Sequence, residues 1–178
     1  MHTLQKNSHH NKRLIEFCLQ KAYPDGIITI DRLIADNLIN GTQVAELAVC
    51  RTNGFLDIHP IGIGQDLTDG SDVKTITVQD EKSKTWIVKN GKRTGEFLDR
   101  TLRRACVNEI KNKIGDLRVI CYNPFNDEWK FFIIPNDVFK GMKKISISFD
   151  KQTHQPNGLY AKFEVPSWLD LCKNKGEI

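Results

Sequence analysis

The stretch Gly64-Gln65-Asp66-Leu67-Thr68-Asp69-Gly70-Ser71-Asp72-Val73-Lys74-Thr75 decides how the chain is read. Three carboxylates and a lysine crowd one tight turn. Asp69-Gly70 is turn chemistry, and the segments on either side, Ile61 to Leu67 and Asp72 to Val78, read as strands. Residues i and i+2 of a strand share a face, so Asp72 and Lys74 project together. A two-residue turn would put Asp66 opposite Val73 and aim it away from them. A three-residue loop, Asp69-Gly70-Ser71, or a bulge would return it to their face. Two carboxylates about 5 Å apart repel by about 3 kcal/mol at an effective dielectric of 20. A hard divalent cation offsets that repulsion, and magnesium needs only one or two carboxylates beside waters and a substrate phosphate. Such an ion activates water and neutralises phosphate charge, and a lysine beside it can hold that water.

Outward from this turn the chain reads as α+β, a mixed β-sheet core flanked by helices. Helices are expected over Asn11 to Ala22, Ile30 to Leu38 and Thr42 to about Thr52, the last capped by Thr42 and closed by Asn53-Gly54. Phe55 to Ile58 looks extended, and Thr85 to Lys89 is a strand ending at an Asn90-Gly91 turn. Leu98, Leu102, Cys106, Ile110 and Ile114 recur every four residues and suggest a long helix, Gly95 to Ile114, with Arg100, Arg103, Arg104 and Lys111 on its other face. Strands follow over Leu117 to Tyr122, Trp129 to Ile134, Ile145 to Phe149 and Leu159 to Val165, then a short helix, Trp168 to Lys173. Trp86 and Trp129 are expected to pack on the sheet. The whole chain, 1–178, is expected to form a single domain, with residues 1–12 a frayed arm and 41–135 the catalytic core.

Composition narrows the function classes. The 178 residues are 39% hydrophobic and 27% charged, as in ordinary globular proteins. No apolar run approaches a membrane span, and the polar N-terminus has no signal-like apolar region, so a cytoplasmic protein without membrane contact is expected. Five cysteines without a CxxC pair disfavour a disulfide framework and a zinc-thiolate site. The formal charge of +4 is unevenly spread. Asn37 to Val88 carries four basic and seven acidic residues, whereas Lys89 to Arg118 carries nine basic and four acidic. Lys89, Lys92, Arg93, Arg100, Arg103 and Arg104 are therefore the candidate phosphate contacts, with Lys140, Lys143 and Lys144 as a second cluster.

Asp66 followed by Asp72-Val73-Lys74 resembles the PD-(D/E)XK signature of metal-dependent nucleases. The string GQDLTDGSDVKT is similar to small type II restriction endonucleases and to MutH-type mismatch-repair nucleases. The resemblance covers about Gly41 to Pro135, and Trp129 to Pro135 resembles a late strand of restriction enzymes. No proline precedes Asp66, the gap to Asp72 is short, and the motif's last acid is aspartate. Asp57 and Asp69 therefore stay open as alternatives to Asp66 for the first ligand.

The resemblance implies a restriction-endonuclease-like fold. It implies that Asp66 and Asp72 bind Mg2+ (Mn2+ substituting) and that Glu46, on the preceding helix, binds or positions the ion. Lys74 would orient the attacking water, and Gln65 is a weaker substrate contact. The reaction implied is hydrolysis of phosphodiester bonds in double-stranded DNA to leave 5′-phosphates, by a homodimer matching a symmetric site. A non-catalytic helix-turn-helix protein, with Thr42 to Arg51 as recognition helix, is the main alternative. A nicking or repair nuclease of the same fold is another. His9-His10-Asn11 lacks the surroundings of an HNH site.

Overall fold

The computed structural model describes residues 2–38, 43–60 and 65–174. The architecture is α+β, in three layers of helices, sheet and sheet. The elements run α1 (His2–Ala22), α2 (Ile30–Ala35), α3 (Val44–Asn53), β1 (Asp72–Thr77), β2 (Gln79–Lys89), β3 (Lys92–Asn108), β4 (Leu117–Asn123) and β5 (Glu128–Ile134). They continue with α4 (Asn136–Phe139), β6 (Lys144–Phe149), β7 (Pro156–Asn157), a 3-10 turn (Ala161–Phe163), β8 (Glu164–Val165) and α5 (Trp168–Cys172). One sheet has the order β1-β4-β5-β8 and the other β2-β3-β6-β7.

Period-2 alternation in β4 and β5 divides the interior into two cores. Ile120, Tyr122, Phe131 and Val73 face α1, α3 and α5, where they meet Leu14, Cys18, Ala48 and Trp168. Leu117, Val119, Cys121, Phe132 and Ile134 face the second sheet, where they meet Ala105, Val107, Ile145, Ile147 and Phe139. Every residue of β4 is buried. Both its faces are covered, so the strand reads as a continuous apolar run broken only by Arg118 and the terminal Asn123. Each fully buried Leu, Ile or Phe contributes about 1.5–3 kcal/mol.

Several expectations hold with shifted ends. Asn53-Gly54 closes α3 with Gly54 in the left-handed region, and Asn90-Gly91 turns β2 into β3 with φ of 52° and 75°. Trp129 stacks on Phe17, with ring centroids 4.1 Å apart. The Thr42 cap and residues 61–64 lie outside the described residues. Of the strand expected to end at Leu67, only an isolated bridge from Leu67 to Ile58 is described. The stretch expected to fray is helical from His2, because no glycine or proline interrupts it and the helix propagates back from buried Leu14. Between Leu159 and Val165 a turn and a 3-10 segment replace most of the strand.

The expected helix from Gly95 to Ile114 is corrected outright: these residues are mostly β3. A spacing of four keeps residues on one strand face as well as near one helix face. Leu98, Leu102 and Cys106 lie on the outward face, while the alternate residues Ala105 and Val107 enter the core. The Asn90-Gly91 hairpin supplies the partner: β2 pairs with β3 from Gln79–Arg104 to Lys89–Lys92.

β1 runs parallel to β4, with Asp72 beside Leu117 and Lys74 beside Val119. The loop before β1 and the loop before β4 meet at Gly115. A Cβ there would lie 1.8 Å from the Gly70 carbonyl oxygen, so backbone touches backbone. Gly115→Ala is expected to push the Asp66–Ser71 loop off β4 and to destabilise the protein by about 2–3 kcal/mol. Urea unfolding of the two proteins measures it.

Candidate functional site

Two loops and two elements bring the site together. The loop before β1 is held by its own backbone. Asp66 N and Leu67 N both donate to Ser71 O, at 3.1 and 3.0 Å, and Gly70 N donates to Leu67 O at 3.0 Å. Two successive donors on one acceptor is the pattern of a bulge. The Asp66 carboxylate thereby turns back to β1, where Oδ2 accepts the Val73 N–H at 3.0 Å. Among the described residues no ladder pairs this segment with β1, whose partner is β4. The irregular loop that the sequence required is therefore a bulged turn rather than a hairpin end.

Asp72 opens β1 with only 1% of its surface exposed. Lys113, from the loop between β3 and β4, donates to Oδ1 at 2.8 Å. Its Nζ lies 2.7 Å from Oδ2, and Lys74 Nζ lies 3.6 Å from the same oxygen. Oδ2 nonetheless accepts no hydrogen bond of good geometry from the described residues. Burial pushes the Asp72 carboxyl up, the Lys113 hydrogen bond opposes this, and the charge of Asp66 adds to the rise. The net effect is upward.

Glu46 lies in the first turn of α3 and is 9% exposed. Its carboxyl is pushed up to about 7, first by burial, then by Asp66, with a smaller push from Asp72. It therefore belongs to the same charged group. Asp57 and Asp69 have other surroundings. Asp57 is exposed, its backbone bonded to Thr68 on the outer edge of the loop. Asp69 is held by Arg118 at 2.7 Å and by Ser71 Oγ at 2.5 Å. Burial raises the Asp69 carboxyl, but these bonds outweigh it and hold it below the usual carboxylate range.

Two basic residues escaped the sequence reading. Lys113 stood in a stretch expected to be helix, and only the fold sets it against Asp72, 41 residues away. Arg118 is buried in β4 and bonds Ser71 Oγ, Asp69, Leu171 O and Lys173 O, clamping the loop to α5. Asn136 holds the other loop by donating to Lys113 O and Gly115 O. A cavity of about 260 Å³ opens beside this clamp, lined by Asp69, Ser71, Ile114, Arg118, Asn136 and Lys173. It includes none of Glu46, Asp66, Asp72 and Lys74.

A hard cation fits these side chains in kind. The donors are carboxylate oxygens, one buried oxygen accepts no well-aligned hydrogen bond from the described residues, and Glu46 is raised by burial first and by the charge of Asp66 second. Yet no three His, Cys, Asp or Glu side chains among the described residues stand close enough to enclose a metal. An ammonium, Lys113, is what now sits on Asp72. Of the candidate DNA contacts, Arg103 pairs with Asp80 and Arg104 with Glu81. Lys89, Lys92, Arg93 and Arg100 are exposed on β2 and β3. Comparison of the chain with family profiles, curated proteins and solved structures finds no match. Among the described residues no helix is long and apolar enough to cross a membrane.

The raised Glu46 carboxyl has a signed consequence. A group that binds its proton more tightly when folded costs no stability below pH about 4.5, where both states hold the proton. The cost grows as pH rises from there to about 7, reaching at most about 3 kcal/mol. In EDTA, Glu46→Gln is therefore expected to raise Tm at pH 8 and to leave it unchanged near pH 4. Thermal melts of both proteins across that range check it.

Proposed function

We propose that the protein is a Mg2+-dependent endonuclease that hydrolyses phosphodiester bonds of double-stranded DNA to leave 5′-phosphates, acting as a restriction enzyme. The observation that carries this reading is the buried Asp72 carboxylate with its unsatisfied oxygen, flanked by Lys74 and by the returning Asp66. Buried carboxylates are ordinarily satisfied by aligned donors, whereas Oδ2, though 2.7 Å from the Lys113 ammonium, accepts no well-aligned hydrogen bond from the described residues.

In this reading Asp66 and Asp72 would hold magnesium beside waters, with Glu46 as a positioning acid rather than a third ligand. The ion, when bound, would supply acidity to a water and offset charge on the phosphate. Lys74 projects from the same strand face as Asp72, 3.6 Å from its Oδ2. From there it would donate to the attacking water and hold the oxygen toward phosphorus. Manganese would substitute, since it accepts the same oxygen donors. A homodimer would present two such sites to the two strands of a symmetric sequence.

The helix-turn-helix reading loses support from burial. Ala45 to Cys50 of α3 are all buried, so that helix has no face to lay in a groove.

Wild type incubated with plasmid and phage DNA is expected to give discrete fragments in Mg2+ and none in EDTA. Lys74→Ala and Asp72→Asn should each lower the rate at least about a hundredfold. Nicked circles alone would point to a nicking or repair enzyme. Intact DNA under all conditions would remove the nuclease reading.

Lys113 gives a second test, independent of cleavage. Lys113→Met leaves Asp72 without its ammonium, so Tm in EDTA should fall, by several degrees if about 3 kcal/mol is lost. Millimolar Mg2+ or Mn2+ should then restore more Tm in the variant than in wild type, because only a cation can replace the lost charge. Equal metal response in both would mean that the ion binds elsewhere or not at all.

A further inference from the structure

β2 and β3 continue well beyond the body of the protein. β6 pairs β3 only from Arg104 to Asn108, and outside that stretch β3 has β2 alone as a neighbour. From Lys82 to Leu102 no residue is buried. The outer eight residues of β2 alone extend about 26 Å. Two-stranded ribbons are marginal by themselves, so an arm of this length is kept for something it touches.

Its charge indicates what. Residues 82–101 hold six basic and two acidic side chains, a balance of +4. That equals the formal charge of the entire chain, so the remaining 158 residues are neutral in sum. Arg103 and Arg104, at the base, are paired with Asp80 and Glu81 and add nothing to the balance. The other cations of the segment lie farther out: Lys82, Lys84, Lys89, Lys92, Arg93 and Arg100.

One face of the arm is aromatic and basic together. Trp86 lies opposite Phe97 and meets it edge to face at 5.7 Å. Lys84 Nζ stands 4.1 Å from the Phe97 centroid, and the Arg93 guanidinium 5.7 Å from that of Trp86. Trp86, expected to pack on the sheet, is instead 45% exposed. Two of the cations thus lie against the two rings on one face of the arm. The strand ladder breaks between Trp86 and Val88, where Thr94 Oγ1 donates to Ile87 O, and this irregularity adds twist near the tip.

We propose that the arm at residues 82–101 binds duplex DNA by lying in the major groove, with Lys84, Lys89, Lys92 and Arg93 on the flanking phosphates. The major groove admits a two-stranded ribbon. A polyanion is the partner that a strip holding all the net charge selects. The identity of that polyanion as DNA rests on the nuclease reading above. The arm also exposes Leu98 and Leu102 on its other face, which makes a second copy of the chain the competing occupant.

The test is binding of a fluorescent 24-base-pair duplex in EDTA, where no cleavage occurs, across a salt series. Wild type is compared with Lys89→Ala/Lys92→Ala/Arg93→Ala and with Lys12→Gln/Glu16→Gln, an exposed ion pair on α1. The triple variant should bind at least about tenfold more weakly, and its slope of log affinity against log salt should be shallower by about 2.7. The double variant, which removes a neutral pair, should match wild type. Circular dichroism and melting of each variant establish that it is folded. Unchanged affinity and slope in the triple variant would overturn the arm's role and leave the nuclease reading to the Lys74→Ala assay. Equal binding of the single strand would overturn groove recognition. Loss of binding that tracks dissociation of a dimer, seen by sedimentation, would give the arm to a second copy instead. Conversely, a protein that binds through the arm yet never cuts DNA would retain this inference and lose the nuclease.

Discussion

A carboxylate buried at the first residue of β1 sets the terms for everything around it. Taking an anion out of water costs several kcal/mol unless charges and donors meet it. Asp72 is met by the Lys113 ammonium, within 2.8 Å of both its oxygens, and by that of Lys74 at 3.6 Å, yet Oδ2 accepts no well-aligned hydrogen bond from the described residues. Two more acids, Glu46 and Asp66, raise the cost rather than lower it.

The surrounding structure holds this costly group in place. Gly115 lets the loop before β4 touch the loop before β1. Arg118 ties that second loop to α5 through four hydrogen bonds, all from inside the core. Asn136 fixes the carbonyls on either side of Ile114 and so positions Lys113. These contacts spend polar groups on holding backbone, which is the support a site needs if its side chains are to keep their geometry.

The two ends of the basic segment divide the work differently from what charge counting suggests. At the base of the arm, Arg103 and Arg104 are structural, each paired with an acid across the ladder. Beyond them the cations face solvent. Sequence puts both groups in one basic stretch, and only the register of β2 on β3 separates them.

The acidic turn, the strand carrying Asp72 and Lys74, the Asn90-Gly91 hairpin and strands β4 and β5 were all legible in sequence, because each rests on neighbours within a few residues. Turn chemistry, period-2 alternation and left-handed glycines are local properties. The long strand β3 was misread for a physical reason: a four-residue spacing of Leu98, Leu102 and Cys106 satisfies a strand as well as a helix. The pairing partner that decides between them lies across a turn. The bulge at Ser71, the parallel pairing of β1 with β4, the clamp by Arg118 and the arrival of Lys113 at Asp72 join residues 40 or more positions apart, apart from the bulge itself. Such contacts depend on how cores close and which loops then meet, and no local pattern encodes them.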